Sequence, residues 1–246
     1  MSDALEGLKI DVWERTKGHN GPVQAMNRRL FMQLLGYECD GLDPERAIAA
    51  LGGALDEQRA SAVIYADVNN PRGIALLSWS EEPADFVTRV RPTLNQPALS
   101  GLRSLSALTM IGRTYSTGYE PDLEQWLIQR PKDTVRNPAW PWAVWYPLRR
   151  NGAFEQLEDR EKGGILREHA TIGQAYGVQD LAHDVRLACH GLDQHDNEFV
   201  IGLMGEQLHP LSHVVQTMRR TRQTSQYIVQ MGPFFVGHRA WQSATP

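Results

Sequence analysis

The segment LREHATIGQAYG, residues 166–177, carries a histidine at the spacing of a buried helix stripe. Ile165, His169, Ile172 and Tyr176 follow one another at intervals of four, three and four, so they share one face of a helix. A buried imidazole needs partners for its ring nitrogens. From spacing alone, a core histidine bonded to a backbone carbonyl is the commoner case. The alternative is an axial ligand to haem iron, which needs an apolar helix face and one free nitrogen.

A second candidate, Tyr146, lies in WYPLRR close to Trp142 and Trp145. Aromatic density on a strand is as typical of a core as of a functional site. The functional alternative is a tyrosine used in redox chemistry, whose phenol loses an electron and a proton together. Arg149 or Arg150 would then be near enough to bind carboxylates.

Alternation along a strand that starts at Asp184 places Arg186 on the same face as Asp184, with Val185 and Leu187 on the other. We expect Arg186 to face the helix that bears His169, where an arginine can contact an anion held between strand and helix.

Three further histidines surround this predicted hairpin and, with Asp193 and Asp196, raise the possibility of a metal site. Solvated hairpin residues are the commoner interpretation. The three are His183, His190 and His195.

The composition is that of an ordinary globular protein, with 246 residues, 41% hydrophobic and 22% charged. No stretch reaches the roughly 20 apolar residues of a membrane span, and the opening residues lack the pattern of a signal peptide, so we expect a cytoplasmic protein without a membrane partner. Cys39 and Cys189 are too few for a disulfide framework. A net charge of −4 argues against a nucleic-acid partner. GxGxxG, P-loop, GxSxG and HExxH motifs are all missing from the sequence.

The first 20 or so residues are polar and predict an arm. The order β-α-β-β-α-β follows. It consists of a strand at RRLFMQLLGYEC, a helix at DPERAIAALGGALDEQ capped by Asp43 with Pro44 at its first position, a hairpin of SAVIYADV and GIALLSWS, a helix at PADFVTRV and a strand at RSLSALTMIGRTYS.

After a helical patch at PDLEQWLIQRP the same order is predicted again. It comprises a strand at WAVWYPLRR, a helix at AFEQLEDREKGGILREHATIGQA, a hairpin of AHDVRLACHG and DNEFVIGLMG, a helix at PLSHVVQTMRRTRQ and a strand at SQYIVQMGPFFVG. We therefore expect an α+β fold of two ferredoxin-like halves, residues 22–120 and 121–246, the second of which binds the ligand. Their sheets would pack into a β-barrel-like core with helices outside.

Across residues 140–238 the chain resembles the chlorite dismutase family, which includes the bacterial coproheme decarboxylases. The segments that carry the resemblance are WYPLRR, LREHATIGQAYG, GLDQHDNEFVIGL, MRRTRQTSQY and GPFFVG, with a weaker echo at TMIGRTYSTGYE. The resemblance implies haem b or coproheme as cofactor and a homopentameric assembly.

The resemblance implies a role for several positions. His169 matches the proximal haem histidine and therefore the metal ligand, and Tyr146 matches the tyrosine that forms a radical in coproheme decarboxylases. Leu148 replaces the usual methionine of that motif. Arg186 aligns with the distal arginine of chlorite dismutases when RLACH is matched to their strand. Further arginines that could bind the four carboxylates of coproheme are Arg149, Arg150, Arg219, Arg220 and Arg222.

Two reactions compete at such a site. Coproheme decarboxylation uses hydrogen peroxide, and the tyrosyl radical takes a hydrogen from a propionate, which loses carbon dioxide and becomes a vinyl group. Chlorite dismutation yields chloride and dioxygen, and family members assist it with a carboxylate beside the proximal histidine. Residues 218–231 contain no Asp or Glu, which together with Tyr146 favours the decarboxylase. A haem-binding or haem-sensing protein without turnover is the third possibility.

Overall fold

The computed structural model describes residues 10–19 and 21–244. Within these ranges the strands are β1 (Glu14–Arg15), β2 (Ala25–Met26), β3 (Phe31–Cys39), β4 (Ala62–Asp67), β5 (Gly73–Ser80), β6 (Leu102–Arg113), β7 (Trp142–Arg150), β8 (His183–Ala188), β9 (Phe199–Gly205), β10 (Ile228–Met231) and β11 (Phe235–Gln242). The α-helices are α1 (Pro44–Glu57), α2 (Arg91–Leu94), α3 (Arg130–Arg136), α4 (Asp159–Val178) and α5 (Leu208–Met218). Short π-helical turns precede α2 and α3 and follow α5, at Phe86–Val90, Gln125–Gln129 and Gln223–Tyr227.

Antiparallel strands close into a barrel in the order β7-β11-β4-β5-β3-β6-β8-β9, and β9 returns to pair with β7. Strand β10 continues the line of β11 along β7. Four strands come from each half of the chain, and the halves join where β11 pairs with β4 and β6 meets β8. The predicted α+β fold with a barrel core and outer helices is confirmed. Closure leaves this sheet without the long free edge that invites aggregation.

The barrel interior is filled by alternate residues of the strands, among them Trp145 of β7 and Val185 of β8, which are fully buried. Trp145 lies directly on the backbone of β9, where a Cβ built on Gly202 would stand 2.5 Å from its ring. Only glycine fits at this contact. The side chains on either side of Trp145 in β7 must therefore point outward, toward the helices.

Several boundaries differ from the sequence predictions. Helix α4 begins at Asp159 instead of near residue 153, because Phe154 is buried against Tyr227 in a turn that precedes the helix. The predicted last strand is interrupted after Met231, at Gly232, whose φ of +98° suits glycine. The N-cap of α1 is confirmed, since the Asp43 side chain accepts a hydrogen bond from the Arg46 backbone N–H.

The described part of the predicted arm is attached to the barrel. Its strand β1 pairs with β2, and the Glu14 carboxylate accepts hydrogen bonds from Arg29 and Arg113. Residues 1–9 of the arm lie outside the described residues. No helix within the described ranges is both long and apolar enough to cross a bilayer.

Replacing Gly202 by alanine should lower the free energy of unfolding by about 1–3 kcal/mol, because the new methyl group overlaps the Trp145 ring. Urea denaturation measures the change. Gly164→Ala in α4 is the control: its Cβ meets nothing within 4 Å, and it should stabilise the helix by about 0.5–1 kcal/mol. Equal stability of Gly202→Ala and the unsubstituted chain would contradict the packing described.

Candidate functional site

On the outer face of the second half, a row of paired residues crosses three adjacent strands and has a polar side chain at each end. Tyr146 of β7 pairs in register with Ile201 of β9, and Ile201 pairs with Arg186 of β8. Neighbouring strands lie about 4.8 Å apart, so Tyr146 and Arg186 are about 10 Å apart on the same face. The predicted orientation of Arg186, with Val185 inside the barrel, is confirmed.

Helix α4 lies over this face and is only lightly packed. Ile165 is its one fully buried residue, and His169, Ile172 and Tyr176 are partly buried. These four residues form the predicted inward stripe, which is confirmed. The Tyr176 hydroxyl lies 2.5 Å from Nδ1 of His213 on α5, so α5 holds one end of the helix.

Thr221, which follows α5, positions His169. Its Oγ1 lies 3.5 Å from Nδ1 of the imidazole and donates a hydrogen bond to the carbonyl of Met218. While the hydroxyl proton is donated to Met218, Thr221 accepts from the imidazole, and this arrangement favours the tautomer with a proton on Nδ1 and a free Nε2. Burial lowers the pKa of His169, and the positive charge of Arg186 lowers it further. The imidazole therefore stays neutral at neutral pH.

Asp184 connects two arginines on the same face. One carboxylate oxygen lies 2.5 Å from Arg130 Nη2 and the other 2.9 Å from Arg186 Nε. Burial raises the pKa of Asp184, but the two guanidinium groups outweigh this effect and hold it below its usual value. The three side chains Asp184, Arg130 and Arg186 form a charged cluster at the β8 end of the row.

Tyr146 is almost fully buried, and its ring stacks on Phe234 with 4.6 Å between the ring centroids. Among the described residues its hydroxyl makes no hydrogen bond, and it is not one of the fully enclosed polar atoms without a partner, so it keeps some contact with solvent. Burial raises the pKa of Tyr146, and the negative charge of Asp184 raises it further, whereas Arg219 lowers it. The phenol is therefore protonated over the physiological range.

Arg150 lies on the same face of β7 as Tyr146. Its guanidinium lies over the rings of Phe154 and Phe199, at 4.3 and 4.9 Å from the centroids. Glu198 and Glu155 pair with it at 3.2 and 3.1 Å. Carboxylates of the chain already neutralise this arginine.

Of the remaining predicted arginines, Arg149 is next to Arg150 in β7 and therefore lies on the opposite face of the strand from Tyr146. Arg149 pairs with Asp196 at 3.2 Å, and Arg222 pairs with Glu161 of α4 at 2.5 Å. Arg219 and Arg220, at the end of α5, are exposed and make no ion pair with the described residues.

The histidines around the hairpin do not converge. His183 stacks on Trp140 with 3.4 Å between centroids, His190 packs edge-on against Phe199, and His195 contacts the carbonyl of Ser106. Within the described ranges no three His, Cys, Asp or Glu side chains are grouped to hold a metal ion.

Sequence reasoning missed Tyr115, which follows β6 and reaches over the second half. Its ring lies 5.6 Å from that of Phe199. Burial holds the pKa of Tyr115 above its usual value, although the positive charges of Arg186 and Arg150 partly oppose this effect. A cavity of about 10 Å³, enough for one water-sized group, separates it from the charged cluster. Its lining consists of Thr114, Tyr115, Thr117, Trp126, Arg130, Pro131 and Arg186.

A buried carboxylate fixes the loop that carries Tyr115. Glu120 accepts hydrogen bonds from the Ser116 and Thr117 hydroxyls, both at 2.6 Å, and from the backbone N–H groups of Thr117 and Gly118 at 3.0 and 2.9 Å. Burial raises the pKa of Glu120, but these hydrogen bonds outweigh it and hold the pKa below its usual value.

The closed barrel and the histidine-bearing helix on its outer face define an α+β barrel protein with a candidate site between that helix and the sheet. The chain belongs to the chlorite dismutase family: the family model described as chlorite dismutase matches residues 46–240. The match therefore includes most of the first half, where the sequence shows only a weak echo. No curated protein matches the chain.

Solved structures show the same fold. A heme-binding protein from Thermus thermophilus is 21% identical, with a TM-score of 0.69 over 86% of this chain and 91% of that one. A double mutant of chlorite dismutase from Candidatus Nitrospira defluvii is 13% identical, with a TM-score of 0.68 over 88% and 93%. The imidazole complex of that dismutase is 12% identical, with the same TM-score and coverage. At these identities the likeness concerns the fold.

The carboxylate of Glu120 should make stability depend on pH. Because its pKa is lower in the folded chain than in the unfolded one, its contribution is present above the unfolded value of about 4.3 and is lost as the pH falls through the folded value. We expect Glu120→Gln to lower the free energy of unfolding by about 1–2 kcal/mol at pH 7, and by less below pH 4. Denaturant titrations at several pH values measure this, and a loss independent of pH would contradict the assignment.

Proposed function

We propose that the chain binds an iron porphyrin through Nε2 of His169 and catalyses the peroxide-dependent oxidative decarboxylation of coproheme propionates to haem b. The observation that supports this most directly is the neutral imidazole of His169 opposite a sheet face that carries Tyr146 and Arg186 in one row. Family membership supports the choice of cofactor.

The residues of α4 and of the facing sheet suit such a group in their chemistry. The inward stripe of α4 is left only partly covered by protein, which is unusual for the apolar face of a 20-residue helix. Since the described residues hold no cluster of metal ligands, a metal on His169 would take its other ligands from a bound group, as iron does in a porphyrin. Ile172, next to His169 on the stripe, would contact the porphyrin plane.

Carboxylates of the porphyrin would meet arginines. Arg219 is the best placed, since it lies close to Tyr146 and no ion pair with the described residues neutralises it. The paired arginines Arg149, Arg150 and Arg222 would bind propionates only by exchanging their present carboxylate partners.

When bound, the iron porphyrin supplies the oxidising power that peroxide delivers. Tyr146 would then give up its electron together with the proton on its hydroxyl oxygen, because its raised pKa keeps that proton in place at neutral pH. Phe234 covers one face of the ring and so restricts access to it. His169 stays neutral and oriented by Thr221, and Arg186 would orient the peroxide or a propionate.

Chlorite dismutation is the second candidate, and the orientation of Arg186 toward the helix favours it. The neighbour of His169 favours the decarboxylase instead, since a threonine hydroxyl stands where the dismutase mechanism calls for a carboxylate. A haem-binding protein without turnover is the third, favoured by the stacking of Phe234 on Tyr146.

Three measurements separate the candidates. Absorption spectra after addition of coproheme or haem test binding. Mass spectrometry after addition of peroxide to the coproheme complex tests decarboxylation, for which we expect successive losses of carbon dioxide and hydrogen. An unchanged mass with dioxygen release from chlorite would favour the dismutase, and an unchanged mass without dioxygen would favour a binding protein.

His169→Ala should abolish the histidine-ligated haem spectrum and weaken coproheme binding on the order of 100-fold, because the axial bond is lost. Absorption titration measures both. His209→Ala is the control, since this exposed histidine lies on α5 and not on α4. A retained spectrum in His169→Ala would identify another residue as the ligand.

Tyr146→Phe should leave coproheme binding intact and slow propionate loss on the order of 100-fold or more, since only the hydroxyl is removed. Product masses over time measure the rate. Tyr37→Phe, at a buried tyrosine of the first half, should turn over normally. Turnover by Tyr146→Phe at the unsubstituted rate would refute the radical role.

We further propose two structural halves at 22–120 and 121–246, a cytoplasmic location and a homopentamer. The last two rest on the sequence and on the family resemblance. Several apolar side chains near the first described residues are exposed and could be buried between subunits: Ile10, Val12, Trp13 and Val23. Light scattering of the purified chain measures its mass in solution.

A further inference from the structure

The charged cluster of Asp184, Arg130 and Arg186 contains two cations and one anion. Both carboxylate oxygens are engaged, one by each guanidinium. In the described part of the chain, no other carboxylate is in ion-pair contact with either arginine. Asp184 thus takes the position that a ligand's carboxylate would need.

The cluster is partly exposed although it lies on a face covered by a helix. The side chains of Asp184, Arg130 and Arg186 are 35%, 31% and 33% exposed. Both arginines also line the small cavity beside Tyr115, and their guanidinium groups lie 4.6 and 5.1 Å from the ring centroid of Trp126. Trp126 would therefore keep both cations in place if the aspartate were removed or displaced.

We propose that Asp184 is a specificity-determining residue: an internal counter-anion that occupies Arg130 and Arg186 and weakens the binding of carboxylates and small oxyanions there. An incoming anion must displace the aspartate and meets a net charge of +1 instead of +2. Small monovalent anions therefore bind weakly to the two arginines. A larger ligand that gains binding energy elsewhere in the site can still displace Asp184 from them. The part that concerns porphyrins rests on the proposed function.

The decisive comparison is between Asp184→Asn, which keeps the shape and removes the charge, and the unsubstituted chain. The first probe is metal-free coproporphyrin III, and its tetramethyl ester is the uncharged counterpart. Porphyrin fluorescence measures the binding of both. We expect Asp184→Asn to bind the tetracarboxylate at least 5-fold more tightly, with a steeper salt dependence, and the ester equally well. Glu57→Gln, an exposed residue of α1, makes the same change in net charge far from the site and should alter neither affinity.

The second probe is sodium formate, which does not depend on porphyrin binding. At constant ionic strength, formate should raise the melting temperature of Asp184→Asn and leave that of the unsubstituted chain and Glu57→Gln unchanged. The double variant Asp184→Asn with Arg186→Gln should lose the gain, because the cation that binds the anion is gone. Melting curves without formate show whether each variant folds.

The outcomes distinguish this inference from the proposed function. If no porphyrin binds, but formate stabilises Asp184→Asn and neither the unsubstituted chain nor Glu57→Gln, the proposed function fails and the counter-anion role stands. If the unsubstituted chain binds coproporphyrin and Asp184→Asn shows neither tighter binding nor a formate effect, the counter-anion role is wrong. Weaker tetracarboxylate binding by Asp184→Asn would likewise overturn it, since the aspartate would then support the arginines instead of competing for them.

Discussion

Closure of the barrel is the constraint on which the site depends. When β9 returns to β7 and β6 meets β8, every strand of the second half has one dry inner face and one face toward the helices. Because residues alternate, packing of Trp145 and Val185 in the interior forces Tyr146 and Arg186 outward. A slip of one residue in β8 would turn Arg186 into the barrel, and the same slip in β7 would turn Trp145 outward. The close contact of Trp145 with Gly202 helps to exclude that slip.

The two halves repeat the same order of elements, yet they use their outer faces differently. In the first half the face is closed by α1, whose Gly52 lies against the indole of Trp241 from the last strand. In the second half α5 covers apolar residues near Leu203, whereas α4 lies over the polar row with Ile165 as its one fully buried side chain. This difference leaves the outer face of the second half less covered by apolar packing than the matching face of the first half.

Local patterns predicted much of this arrangement. Alternation of apolar residues predicts the limits of β7, and turn residues predict the hairpin of β8 and β9. Capping residues and helical spacing predict α1 and the inward stripe of α4. These signals lie within a few positions of one another along the chain, so the sequence displays them directly. The start of α4 was missed because Phe154 is held by a distant partner, Tyr227.

The polar contacts of the site were less predictable. Arg130 meets Asp184 across 54 positions of sequence, and Thr221 meets His169 across 52. Such pairs depend on how helices and loops cross the sheet, which no local spacing encodes. The basic segment MRRTR drew attention to its arginines, whereas its threonine is the residue that contacts the imidazole.

A crystal structure of the unsubstituted chain grown with coproheme would show directly whether His169 holds the iron. We expect iron bonded to Nε2 of His169, with the porphyrin between α4 and the row formed by Tyr146, Ile201 and Arg186. A porphyrin bound elsewhere, an iron held by a different side chain, or an imidazole turned away from the sheet would refute the proposed site.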